Sequence, residues 1–303
     1  MYIFALAFCL LCQQLSVSGT ALDDYVNKAD DNYKYEYMGE AYDLHGHDLT
    51  KKHTWTGYCL NMTSQRWLTD ADFSPDSTAK SIWWHMLVVI VPSEIKYTSN
   101  ATLYITGGNQ GGPPGSDNED IVLSAALAMG IGAVTGALFQ IPNEHVIFAV
   151  DPLQKSRTED SMVAFTWDHF LNDPSEPEWL NYFPMVKASV RAMDTMTDFI
   201  ATQKPELGCQ LDYYTVAGAS KRGWTTWLVG AVDKQRTMAI VPIVLDAINF
   251  VAVEHHEWTS YGAFGFALQD YIDMDVMSRL DTPQMAQMQV RFWFWFWCSD
   301  SDL

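Results

Sequence analysis

Apolar residues along this chain fall into short blocks separated by stretches with one apolar helical face, and this alternation predicts an α/β domain. Trp83 to Val91 is an apolar, β-branched run ending at Pro92 and reads as a buried strand. Thr102 to Thr106 is a second strand, Gly132 to Gln140 a third that stops before Pro142, and Val146 to Val150 a short fourth ending at Asp151. Tyr213 to Val216 and Ala239 to Leu245 follow in the C-terminal half. Helices are predicted at Ile121 to Met129 and from about Glu159 to Leu171. A third is marked by Val186, Val190, Met193 and Ile200 on one face, and a fourth, from near Lys221, by Trp224, Trp227, Leu228 and Ala231. Strands alternating with helices imply a mainly parallel sheet covered on both faces.

The N-terminus reads differently. Tyr2 to Cys12 is almost wholly apolar and is followed by Gln13, Gln14 and the small residues around Ser16 to Ala21, which is the form of a secretory signal with its cleavage region. The run is too short to span a bilayer, and no other stretch approaches the roughly 20 apolar residues that a span requires. The expected organisation is a signal peptide at 1–20, one α/β domain at 21–281 and a divergent tail at 282–303. Secretion would make the sequons at Asn61 and Asn100 accessible to N-glycosylation. It would leave Cys59, Cys209 and Cys298 in the mature chain, an odd set that permits at most one internal bridge.

Charge narrows the partners. Lys and Arg number 18 against 37 Asp and Glu, a formal charge of −19, so a polyanion is repelled over most of the surface and nucleic acid is excluded. His45 and His47 have strand-like spacing beside His53, but no further ligands cluster with them; a solvated loop is expected, and no metal or cofactor is assigned. Gly107-Gly108-Asn109-Gln110-Gly111-Gly112 lets backbone N–H groups approach a ligand, or makes a surface turn. It lacks the Lys-Ser/Thr ending of a phosphate loop. Gly130, Gly132 and Gly136 miss the dinucleotide spacing and precede a strand instead of a helix.

The chemistry centres on Gly218-Ala219-Ser220-Lys221-Arg222-Gly223, between a strand and a helix. Strand, tight turn with serine, then helix is the setting of a nucleophile elbow, in which small neighbours relieve a strained serine backbone. Gly218 and Ala219 fit; Arg222 stands where glycine is usual, and the glycine comes one place later. Ser220 as a helix N-cap is the simpler alternative.

Several longer motifs point to one family. They are Met62-Thr63-Ser64-Gln65-Arg66-Trp67-Leu68, Trp83-Trp84-His85, Ile105 to Asn109, Arg157-Thr158-Glu159-Asp160 with Thr166-Trp167, Glu178-Trp179-Leu180, Lys187 to Asp194, Gly218 to Leu228 and Val241 to Asp246. From about Ala21 to Asp281 the chain resembles the PhoPQ-activated pathogenicity-related family, which includes autocrine proliferation repressor proteins. The resemblance implies an α/β-hydrolase-like fold, Ser220 as nucleophile, Lys221-Arg222-Gly223 as the family's own form of the elbow, and a mature N-terminus near Ala21. It also implies continuation past Arg279-Leu280-Asp281 into strands bearing a Gly-Asp-Glu acid segment and a later histidine. This chain instead runs through Phe292-Trp293-Phe294-Trp295-Phe296-Trp297, a poor soluble edge strand, to Leu303. The sheet is therefore expected to be incomplete at its C-terminal edge, and the chain to be poorly folded and hydrolytically silent.

A serine hydrolase needs a base, an acid to orient it and oxyanion donors. The backbone N–H of Lys221 with that of Gly108 or Asn109 would supply the oxyanion hole, each donor contributing about 3 kcal/mol to the transition state. Asp246, after the strand that follows the elbow, is either the acid or a helix cap before Ala247. His255 and His256 are the only histidines after Ser220, hence the only bases that the serine, acid, histidine order allows, or else structural side chains. Two functions follow: a secreted serine hydrolase of an ester or peptide substrate, inactive in this form, or a secreted signalling or binding scaffold that meets a cell-surface receptor.

Overall fold

The computed structural model describes residues 19–108, 111–246 and 249–297. The signal run, Asn109 and Cys298 lie outside them. The chain opens with helix α1 (Ala21–Asn27), whose start is fixed by a capping box: Asp23 N–H donates to Thr20 Oγ1 at 3.2 Å and Thr20 N–H to Asp23 Oδ2 at 2.7 Å. Leu22, Tyr25 and Val26 bury its inner face.

Strands β1 (Lys34–Tyr37), β2 (Leu44–His47), β3 (Thr54–Arg66) and β4 (Ile82–Pro92) come next. They are followed by β5 (Asn100–Ile105), α2 (Glu119–Ile131), β6 (Val134–Leu138), α3 (Glu159–Asn172) and α4 (Tyr182–Gln203). The second half holds β7 (Tyr213–Ala219), α5 (Lys221–Val232), β8 (Thr237–Ile243), α6 (Phe250–Tyr261), α7 (Gln269–Asp273) and α8 (Pro283–Trp297).

One sheet runs β1-β3-β4-β6-β5-β7-β8, with β2 also on β3. It is mixed: β1 through β4 and the β4–β6 pair are antiparallel, and only β6-β5-β7-β8 is parallel. From β3 onward the order of strands and helices, with the elbow after β7, is the α/β-hydrolase arrangement, and the fold is α/β-hydrolase-like.

β4 shows why its sequence is apolar throughout. Met86, Val88 and Ile90 pack with Ile121, Ala125 and Ala128 of α2 on one face. Leu87, Val89 and Val91 join the larger core under α1, α3, α4 and α5 on the other. A strand buried on both sides needs both registers apolar.

Three expectations change. Residues 146–150 form no strand; Val146 makes one bridge to Arg157 and Phe148 one to Phe73, and the run is apolar because Phe148 stacks on Phe165 at 4.7 Å. His45 and His47 lie on β2, exposed, instead of in a loop. The segment holding the aromatic run is helical through Trp297, so it is not an edge strand. Cys59 and Cys209 are buried free thiols.

β8 is the free edge of the sheet, and Met238, Val241, Ile243 and Val244 on and beside it are 58, 46, 36 and 82 % exposed. The carbonyl of Ile243 accepts from Ser220 N–H toward β7, so the neighbouring Pro242 turns its backbone nitrogen to the open side. The edge there has no donor to offer an incoming strand, which makes it a poorer template for strand addition.

Candidate functional site

β7 brings the chain to the end of the parallel half, and α5 begins one residue later. Ser220 is that residue, with φ 56° and ψ −125°. Such a backbone costs a non-glycine residue roughly 1–3 kcal/mol and persists only where the surroundings hold it. The Ser220 side chain makes no capping bond and is exposed, so it is not the N-cap that the simpler reading required.

The demand for glycine at this turn comes from the helix crossing the strands. A Cβ on Gly218 would lie 2.7 Å from the Arg222 carbonyl oxygen, and one on Gly223 would lie 3.0 Å from that of Ile243. Position 222 points elsewhere and tolerates a long side chain. Arg222 donates from Nε to the Ile141 carbonyl and from Nη2 to Glu159 Oε1, each at 2.5 Å.

The loop after β5, the strand beside β7, supplies Gly107 and Gly108 next to the elbow. A Cβ on Gly107 would collide with Arg222 Nη2, and Gly108 has φ 99°. The N–H of Lys221, in the first turn of α5, has no intrahelical acceptor and sits at the positive end of the helix. Elbow and loop thus lie together at one end of the sheet, the placement that a developing oxyanion needs.

The acid and base candidates are placed otherwise. Asp246 is exposed after β8, and the following helix starts at Phe250, capped by Asn249, whose Oδ1 accepts from Ala252 N–H at 3.4 Å. Asp246 is therefore not its cap. His255 and His256 are exposed on α6, and His255 Nε2 pairs with Asp281 Oδ1 at 2.8 Å. Among the described residues, neither histidine is hydrogen-bonded to Ser220 or Asp246.

Side chains to which the sequence assigns no chemistry, although Glu159, Asp160, Lys221 and Arg222 belong to its motifs, surround the elbow with charge. Lys221 Nζ is buried between Glu159 Oε2 at 2.7 Å and Asp160 Oδ2 at 3.0 Å. The Glu159 backbone N–H donates to Glu144 Oε2 at 2.7 Å. Burial, and then the nearby Glu159 charge, push the Glu144 carboxyl above the usual range. Burial pushes Glu159 up as well, but Arg222 and then Lys221 outweigh it and hold its carboxyl well below that range. The signal available in sequence was an acidic pair opening a helix, which by itself speaks only of the helix dipole.

Behind the elbow, Trp167 of α3 meets Trp224 at 5.3 Å, Phe250 at 5.2 Å and Tyr271 at 5.3 Å, tying α3, α5, α6 and α7 into one aromatic cluster. Among the described residues no group of three His, Cys, Asp or Glu side chains is placed to hold a metal, and no helix is long and apolar enough to cross a membrane. Of the sequons, Asn61 is exposed on β3 and Asn100 half-buried at the start of β5.

The model of the PhoPQ-activated pathogenicity-related protein family matches residues 22–291. The chain belongs to this family. The match extends past Asp281, where the resemblance was expected to stop. Autocrine proliferation repressor protein A of Dictyostelium discoideum is 38 % identical over 281 residues, which is 92 % of this chain and 52 % of that protein. The chain thus spans about half the length of the curated relative it matches. Solved structures similar to this family member include acetyl xylan esterase 1 of Thermoanaerobacterium sp. (TM-score 0.48, 15 % identity, 90 % of this chain and 73 % of that one). Another is the acetyl xylan esterase of Paenibacillus sp. R4 (TM-score 0.47, 12 % identity, 89 % and 71 %).

Proposed function

We propose that this chain is a secreted protein of the serine hydrolase class, with Ser220 as the nucleophile toward an ester or peptide carbonyl. The observation that carries this reading is the backbone of Ser220, held at φ 56° between a strand and a helix with its hydroxyl exposed and uncommitted to capping. A strained serine at that turn is what a nucleophile elbow requires. Lys221 N–H and the backbone N–H of Gly108 or Asn109 receive the oxyanion. Asp246 with His255 or His256 completes the catalytic triad only if α6 approaches the elbow on binding; without that approach a fluorophosphonate phosphonylates Ser220 with loss of fluoride but no ester is turned over.

A second reading, favoured by the pairing of His255 with Asp281 away from Ser220, is a secreted scaffold that regulates proliferation through a cell-surface receptor, using the hydrolase fold for binding alone. Fluorophosphonate labelling of the wild type, Ser220→Ala, His255→Ala and His256→Ala separates the two. The hydrolase reading expects labelling that Ser220→Ala abolishes, and a histidine variant that slows it identifies the base. A folded wild type that does not label excludes the hydrolase reading and leaves the scaffold.

A further inference from the structure

We propose that Glu159 is a positioning residue for the elbow: one carboxylate holds both cationic side chains that follow Ser220 and locks the elbow to the Gly107 loop. The idea that this serves catalysis rests on the nucleophile reading above, but the clamp itself is testable without it.

The two oxygens of Glu159 are separately committed, Oε2 to Lys221 Nζ at 2.7 Å and Oε1 to Arg222 Nη2 at 2.5 Å. Both cations are largely withdrawn from water, with side chains 7 and 12 % exposed, so they depend on this anion. Asp160 is a lesser partner: of the two cations it reaches only Lys221, at 3.0 Å, and its other oxygen accepts from the Tyr271 hydroxyl at 3.2 Å. The Arg222 guanidinium then lies over Gly107, where a Cβ would collide with it, and donates across to the Ile141 carbonyl. Glu159 is itself fixed at its backbone by Glu144 and has φ 49°. Glu159, through its side chain to Lys221 and Arg222 and its backbone to Glu144, and Arg222, lying over Gly107 and bonded to Ile141, thus join the segments at 107, 141–144 and 220–223, which converge on the candidate site from different parts of the chain.

The strained Ser220 backbone needs such external support, because a turn in that region relaxes unless its surroundings over-determine it. Lys221 and Arg222 are adjacent in sequence, yet one carboxylate bonds both. Aspartate, one methylene shorter, cannot reach the two together, and glutamine offers one acceptor where two are used.

The test compares full-length wild type with Glu159→Gln, Glu159→Asp and Asp160→Asn by amide hydrogen exchange of the peptide spanning 218–224 and by the fluorophosphonate labelling rate. Both Glu159 variants are expected to exchange at least about tenfold faster at the elbow while β3, β4 and α2 keep their protection, whereas Asp160→Asn changes elbow exchange by less than about threefold. Where the wild type labels, the labelling rate should fall in parallel, by at least about tenfold. If the wild type does not label, the nucleophile reading fails while the exchange result still decides the clamp. Should Glu159→Gln not fold, exchange in Arg222→Met and in Arg222→Met with Glu159→Asp supplies the measure: coupling predicts that the second change adds less than it does alone. Unchanged elbow exchange, equal acceleration across the whole chain, or additive effects overturn the proposal.

Discussion

Replacing Glu254 by glutamine should stabilise the protein in alkaline solution and leave it nearly unchanged in acid. Glu254 lies on α6, 6 % exposed, and its Oε2 is buried without a hydrogen-bond partner. Burial, and secondarily the charge of Glu257, push its carboxyl up to about 7 from an ordinary 4.5. In the unfolded chain the proton leaves near 4.5, so between there and about 7 the native state holds a proton that the unfolded state has lost. Stability accordingly falls as pH rises through that window, and the loss is complete above about 7. A difference of some 2.5 units at 1.36 kcal/mol each sets the penalty at about 3 kcal/mol. Glutamine has the same shape and no titration. Urea unfolding of both forms at pH 4 and pH 8 isolates the effect, since Glu144 and every other shifted group cancel in the difference. The expected result is a gain approaching 3 kcal/mol at pH 8 and a difference near zero at pH 4. A difference independent of pH would refute the reasoning, because it would mean that Glu254 does not carry its charge into the folded core.

Other outcomes follow from the same structure. Gly107→Ala forces the Arg222 guanidinium aside, so fluorophosphonate labelling should fall at least about tenfold with unchanged circular dichroism; unaltered labelling would show that the loop and elbow are independent. Thr20→Ala removes the side-chain half of the capping box at α1, the Oγ1 that accepts from Asp23 N–H, while the backbone N–H to Asp23 Oδ2 stays, and should cost about 1 kcal/mol in urea unfolding. Secreted from a eukaryotic cell, the chain should appear in the medium as a form starting between Thr20 and Leu22 and lose mass with an N-glycosidase, and Asn61→Gln should remove most of that loss because Asn61 is the more exposed sequon; retention in the cytosol would contradict secretion.

Strands whose sequence is apolar on both faces were legible. β4, β5, β6 and β7 stand within a few residues of their expected limits, and so does α3. β3 was not read as a strand, because Thr, Gly, Asn and Gln interrupt its apolar residues. Its burial nonetheless alternates from Thr54 to Cys59, with Trp55, Gly57 and Cys59 buried and Thr56 and Tyr58 only half-buried between them. The antiparallel β3-β4-β6 half was hidden for a different reason: strand direction is a property of connections, and the residues of β4 look the same in either sense. Val146 to Val150 misled because burial in an aromatic cluster and burial in a sheet select the same residue types. At the site, the serine and its glycines were visible, but the choice between a cap and an elbow turns on one backbone angle at Ser220. The Glu159 clamp was not visible at all, since nothing in local sequence couples a helix start to a turn that far along the chain.

The measurement that bears most directly on Ser220 as nucleophile is mass spectrometry of the chain after reaction with a fluorophosphonate. Trypsin, which does not cut between Lys204 and Pro205, releases residues 192–221, a peptide in which Ser220 is the sole serine. The account predicts an adduct on that residue, lost on heat denaturation before labelling and absent from Ser220→Ala. Native, cooperatively unfolding protein that carries no adduct there, or carries it on another serine, would contradict it.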